Sequence, residues 1–276
     1  MSVRSVLCAA LVALLAWGGV PASSAGQEVL VPMDDRQSDH LKAYGAVYST
    51  LSNGQKVDWL LNYRGGSFLT RATDAVIQEL RTRGVSFERV GGAAASKIIA
   101  EVEADGSNMA VVPLEKAPKI AVYAPGSAVP WDDAVRLALK YAEVPHDVIY
   151  DDAVLNGKLE QYDWLHLHHE DFTGQYGKFW VSSRNQPWYI KQVNKMEAMA
   201  KELGFNKVSN EKKAVAAKIK EYVGNGGFMF AMCSGTDTFD IALAAQGVDI
   251  VPTQFDGDPM DPKAQQKLNF DNTLAF

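Results

Sequence analysis

Apolar and polar positions along this chain switch repeatedly between two spacings. Short apolar runs with strand character occupy residues 29–31, 57–63, 85–90 and 109–114. Between them, residues 40–51, 72–83 and 93–102 carry apolar side chains at helical spacing. Asn53-Gly54 and Gly84 supply the stops expected where a helix ends in a left-handed turn. The second half repeats the alternation more regularly. Residues 119–123, 146–150, 162–167, 228–232 and 248–251 read as strands, and 131–142, 187–203 and 211–223 as helices. Strands alternating with helices of this length predict an α/β fold with a mostly parallel sheet covered on both faces, a doubly wound arrangement. Ala117-Pro118 divides a smaller N-terminal α/β unit, residues 26–117, from a C-terminal α/β domain, residues 118–276. Residues 251–262 are rich in Pro, Asp and Gly, and 268–276 read as the approach to a further element, so the natural chain is expected to continue past Phe276.

The first 25 residues follow a different pattern. Arg4 precedes an apolar run over residues 6–20, and Ser23-Ser24-Ala25 supplies small residues before a cut, which predicts a cleaved signal peptide and an exported protein. That run is short for a membrane span, and no other run is long and apolar enough to be one, so no span is expected after cleavage. Of the 276 residues two are cysteines, Cys8 and Cys233; the first falls within the leader, which leaves no intrachain disulfide. The net charge of −6, without a basic stripe, argues against a nucleic-acid partner.

The chemistry concentrates at two strand ends. The strand over 228–232 runs into Cys233-Ser234-Gly235-Thr236-Asp237-Thr238 and then a helix, a turn that raises a side chain or backbone N–H groups at the carboxyl edge of a sheet. Burial in the core is an equally good reading of Cys233. The second is His166-Leu167-His168-His169-Glu170-Asp171, where strand alternation puts His166 and His168 on one face and a following loop brings His169, Glu170 or Asp171 round to join them. Imidazoles with a carboxylate suit zinc or another divalent metal through His166, His168 and His169, or acid–base work on a polar substrate through His168 and Glu170. Hydrogen-bonded histidines at a polar strand end explain the cluster as well. A loop dense in aromatics follows, from Phe172 to Trp180 and on to Trp188-Tyr189, with faces that suit sugar rings or cap a core. Arg64-Gly65-Gly66 forms a third strand-end loop whose N–H groups and guanidinium suit an anion.

Around Cys233 the chain resembles the class I glutamine amidotransferase-like superfamily, including ThuA-like proteins, over residues 119–251. The turn reads Ala231-Met232-Cys233-Ser234-Gly235, where the family pattern is Gly-x-Cys-x-Gly. The resemblance implies a flavodoxin-like sheet with Cys233 as nucleophile. In the family the histidine base follows the cysteine, whereas all five histidines here precede it, so glutaminase activity does not carry over. Ser234-Gly235-Thr236-Asp237-Thr238 also resembles, one residue short, the pyrophosphate loop of ATP pyrophosphatases such as the synthetase half of asparagine synthetase B. Besides a purely structural envelope protein with a vestigial site, two readings result. One is an exported protein binding or hydrolysing a small polar or carbohydrate ligand at Cys233, His168 and Glu170, with Arg64, Gly65, Gly66, Asp171, Ser234, Gly235 and Asp237 as ligand contacts. The other is an ATP-dependent amide-forming synthetase, marked by nucleotide protection against unfolding.

Overall fold

The computed structural model describes residues 26–126, 133–176 and 179–275. The proposed leader, the start of the helix expected at Trp131, and Gly177-Lys178 of the aromatic loop lie outside them.

Two sheets divide the chain. The first carries β1 (Glu28–Val31), β2 (Val57–Leu61), β3 (Phe68–Arg71), β4 (Glu88–Val90) and β5 (Ala110–Leu114) in the order β4-β1-β3-β2-β5. Every pairing in it is antiparallel, so the expectation of a mostly parallel sheet fails here. The cause is local. Residues 57–63 do not lead into a crossover helix; β2 stops at Leu61, and Asn62, Arg64, Gly65 and Gly66 all take left-handed backbone angles. That tight turn sends the chain straight back as β3, which the sequence pattern missed because Phe68–Arg71 is only four residues long. A Cβ on Gly65 would stand 2.3 Å from the Met33 carbonyl oxygen, so only glycine fits there. Helices α1 (His40–Ser52) and α2 (Asp74–Thr82) bury Ala43, Val47, Val76, Ile77 and Leu80 against one face; α3 (Gly92–Val102) covers the other with Ala95 and Val102.

The second sheet matches the α/β expectation. Strands β6 (Ile120–Tyr123), β7 (Asp147–Ile149), β8 (Trp164–Leu167) and β9 (Phe228–Ala231) lie in the order β7-β6-β8-β9, all parallel. Alternation assigns the faces. Ala121, Tyr123, Leu165 and Leu167 pack on α5 (Asp151–Leu155), α8 (Val208–Gly224) and α9 (Ser234–Ala244) through Val154, Val215, Ile219, Phe239 and Leu243. Ile120 and Trp164 face the other way, against Leu139 and Ala142 of α4 (Ala134–Ala142). The 16-residue helix α7 (Pro187–Glu202) precedes α8 and starts with proline in its first turn. Residues 248–251 are not a strand: Val248 and Val251 are buried, but Lys213 Nζ binds the Val248 carbonyl at 2.9 Å, so this stretch packs against α8 instead of joining a ladder.

The sheets are joined through α1 and α4. A Cβ on Gly45 would come 1.7 Å from the Ala142 carbonyl oxygen, while Lys42 pairs with Glu143 at 2.6 Å and Tyr48 donates to Pro118 O at 2.9 Å. No helix of the described residues is long and apolar enough to cross a membrane.

Candidate functional site

In a parallel sheet all strands end at the same edge, so the segments that follow β6, β7, β8 and β9 share one rim. Cys233 stands two residues after β9 and immediately before α9. It is exposed, with φ 54° and ψ −144°, a left-handed conformation that costs a non-glycine residue about 1–3 kcal/mol and that surrounding contacts must hold. Those contacts come from the segment after β8. Gly235 N–H donates to the His168 carbonyl at 3.1 Å, Ser234 Oγ to that of His169 at 2.9 Å, and Thr238 Oγ1 to that of Glu170 at 3.1 Å. The thiol-bearing turn and the histidine segment are thus stitched together residue by residue.

That stitching also explains the residue types in the turn. A Cβ on Gly235 would lie 2.7 Å from His168 O, so this glycine serves close packing. The hydroxyls of Ser234 and Thr238 are spent on the neighbouring loop, and Thr236 Oγ1 donates to Cys233 O at 2.6 Å. Asp237 lies in the first turn of α9, where a carboxylate suits the helix dipole.

The three histidines have separate surroundings. His166 is 2% exposed, stacks on Phe230 with ring centroids 5.6 Å apart, and meets Trp164 edge-on. Both of its ring nitrogens are buried without a hydrogen-bond partner, and burial pulls its pKa down to about 4, so it is neutral. His168 Nδ1 lies 3.3 Å from Asp133 Oδ1 and 3.0 Å from His169 Nδ1. Asp133 is 2% exposed and held in place as the N-cap of α4, accepting from the backbone N–H groups of Val135 and Arg136. Asp133 and His169 thus both lie at the Nδ1 side of the His168 ring. His169 is half-exposed, with Nε2 3.9 Å from Glu170.

The histidines do not gather as a metal centre. Among the described residues, the group of three ligand atoms within 4.8 Å of one another is Asp249, Asp256 and Asp258, not His166, His168 and His169. Lys207 Nζ occupies the middle of that group at 2.7, 3.2 and 2.5 Å, which makes it a salt-bridge cluster.

Beneath the rim lies a buried charge network that the sequence reading overlooked. Lys212 Nζ contacts Asp151 Oδ2 at 2.7 Å, Tyr150 Oη at 2.9 Å and Tyr123 Oη at 3.0 Å, and Tyr123 also donates to Asp151. Burial opposes the ammonium, but the Asp151 charge outweighs it and keeps Lys212 protonated. Glu170 joins this network to the rim. Burial pushes its pKa up to about 7, with Lys212 pulling the other way and Asp151, Asp133 and Asp171 adding to the rise. Glu211 is likewise raised, to about 8, chiefly by burial and then by Asp151. Asp171 accepts from Thr173 through backbone and hydroxyl at 2.7 and 2.6 Å, which shapes its own loop.

A signal for Lys212 was present. Val208, Lys212, Val215 and Ile219 recur at helical spacing, so this lysine sits within the apolar stripe of α8. Asp133 had none: the helical pattern over 131–142 placed it inside a helix, and its partner comes from the far end of β8. Arg64 belongs elsewhere: it pairs with Asp34 at 2.8 Å and Glu88 at 3.0 Å beside the first sheet, so the anion site expected at Arg64-Gly65-Gly66 is occupied by the protein's own carboxylates. Of the aromatics, Phe172 is core, packed on Tyr123 and Phe239, whereas Phe179 and Trp188 are exposed. A cleft of about 530 Å³ opens at the opposite, amino edge of the sheet beside Tyr162, Asp163 and Gly226-Gly227, away from Cys233. Compared with protein-family models, with curated proteins and with solved structures, the chain matches none.

Proposed function

We propose that this is an exported protein with a flavodoxin-like, amidotransferase-like second sheet, and that Cys233, His168 and Asp133 act together on a small polar or carbohydrate ligand, without glutaminase activity. The observation that carries this reading is the Gly235 N–H to His168 carbonyl bond at 3.1 Å, which fixes the strained cysteine turn against the strand end bearing an imidazole beside a buried carboxylate. The base comes from upstream in the chain, so the order Asp133, His168, Cys233 departs from the order of the superfamily while keeping the same three roles.

In this scheme His168 Nε2 takes the thiol proton and the thiolate attacks an acyl carbon, forming a sulfur–carbon bond. The proton passes to the leaving group, and water then cleaves the thioester and restores the thiol. Glu170, with its raised pKa, is a second proton carrier on the same rim. The internal engagement of the Ser234, Thr236 and Thr238 hydroxyls favours this reading over pyrophosphate binding.

The test is the pH profile of Cys233 alkylation in the native protein. Coupling to His168 predicts faster labelling at neutral pH than an isolated thiol gives, and slower labelling in His168→Gln and Asp133→Asn. Identical profiles in all three proteins would remove Cys233 as an activated nucleophile.

A further inference from the structure

We infer that the outer face of α6 (Trp180–Ser183) and α7 docks on the surface of an anionic lipid bilayer, independently of the chemistry at Cys233. The burial pattern of α7 selects that face. Tyr189 and Ala200 turn inward, whereas Trp188, Lys191 and Lys195 fall on one exposed stripe at spacings of three and four. Pro187, Ile190 and Ala198 line a shallow groove beside the same two lysines. The segment before α7 extends the apolar surface. Val181 is 75% exposed, more than any other large apolar side chain described, and Phe179 meets Trp188 edge-on with ring centroids 5.9 Å apart. Phe179, Val181, Trp188 and Ile190 thus leave apolar surface in water within one short stretch of chain, a patch rather than scattered exposure.

Charge names the partner. Residues 179–201 hold Arg184, Lys191, Lys195 and Lys201 against a single acidic side chain, Glu197, in a chain whose net charge is −6. Neither Lys191 nor Lys195 has a carboxylate partner among the described residues. Arg184 is steadied over the Trp180 ring at 4.9 Å and donates to Val181 O at 2.9 Å. An anionic surface therefore attracts this face and repels the acidic remainder of the molecule, which sets the orientation of approach. The mixture of residue types separates a bilayer from a protein partner. Lysine is depleted at the centre of protein interfaces, yet here two unpaired lysines share the stripe with Trp188 and Ile190. At a bilayer their stems lie along apolar surface while the ammonium groups reach lipid phosphates, and tryptophan favours the same interfacial depth. The contact lies on the membrane and does not cross it.

Vesicle flotation tests this with the chain from Gly26 onward, the form expected after leader cleavage, because the apolar run at 6–20 would itself partition into lipid. Vesicles of phosphatidylcholine alone are compared with vesicles of phosphatidylcholine and phosphatidylglycerol in equal parts. The expected result is flotation with the anionic vesicles and little with the others, falling as salt rises. Lys191→Gln combined with Lys195→Gln should weaken binding about 25-fold, since each cation near such a surface contributes about fivefold. Val181→Ser combined with Trp188→Ser should weaken it about tenfold or more through lost apolar burial. All four positions are exposed, so the fold is not threatened. Leu137→Ser, at an exposed apolar position on α4, should leave binding as in the wild type. No flotation with anionic vesicles, equal flotation with both kinds, or binding that survives both double substitutions would overturn the proposal. Dimerisation in sedimentation velocity without lipid, lost in the Val181→Ser and Trp188→Ser protein, would overturn it too, by assigning the face to a second copy of the chain. The readout is lipid binding, so it stands or falls apart from the alkylation profile of Cys233.

Discussion

Replacing Gly235 by alanine tests the contact on which the candidate site depends. The added methyl would sit 2.7 Å from the His168 carbonyl oxygen, 0.7 Å inside the 3.4 Å where ordinary contact begins, and 3.3 Å from the carbonyl carbon. Both atoms are backbone at the end of a central strand, so no side chain can swing away. Relief requires the first turn of α9 to retreat from the histidine segment, which stretches the 3.1 Å bond from Gly235 N–H to the same oxygen. Overpacking of this kind costs about 1–3 kcal/mol. Alanine returns at most about 1 kcal/mol through its greater helix propensity. The net expectation is a loss of about 1–2 kcal/mol, or roughly 2–8 °C in unfolding temperature for a chain of this size. Thermal unfolding followed by circular dichroism measures it, with Gly224→Ala as the control. Gly224 ends α8 with open space around its Cβ position, so that substitution should raise stability slightly. Cys233 alkylation should also change in Gly235→Ala and stay as wild type in the control. If Gly235→Ala matched or exceeded the wild type in stability, the cysteine turn would not be docked on His168, and the proposed pairing of thiol and imidazole would lose its basis.

Lys212→Met should destabilise the protein by about 3–5 kcal/mol in urea unfolding, because it strands Asp151 as a lone buried charge, and adding Asp151→Asn should recover a large part; a loss under about 1 kcal/mol would refute the network. Opposed pH dependences are expected from Glu170 and His166. The folded Glu170 pKa is raised from 4.5 to about 7, so its contribution falls as pH rises through that window, by on the order of 3 kcal/mol in all. The folded His166 pKa is depressed from 6.5 to about 4, so its contribution is full above 6.5 and is lost as pH falls toward 4. Glu211, raised to about 8, adds a second falling slope, so the three together leave a net fall between pH 4.5 and 6.5 in the wild type. Glu170→Gln should therefore flatten that fall, and His166→Phe should steepen it; parallel curves for all three proteins would contradict the burial of both groups.

Much of the second sheet was legible because its signals are local. Val122, Leu165 and Met229 lie in short apolar runs, each flanked by a polar turn and a helix of the right length, and that sequence of elements requires parallel strands. Parallel strands in turn put the residues after Leu167 and after Ala231 at one edge, so the neighbourhood of Cys233 and His168 followed from pattern alone. The same reasoning failed at residues 62–71, where four left-handed residues reverse the chain in place of a crossover, and at 248–251, where an apolar run is buried by a helix without entering a ladder.

The sequence by itself determined where the four strands of the second sheet and helices α4, α7 and α8 form, and which turn carries the thiol, because periodicity and turn chemistry act over a few residues. Only the tertiary structure decided that Asp133 faces His168, that Lys212 is sealed against Asp151 and two tyrosines, and that Arg64 is neutralised by Asp34 and Glu88. Partners 24 to 89 positions apart are chosen by which elements pack together, and the energy of a buried charge depends on what surrounds it in space, which no local spacing encodes.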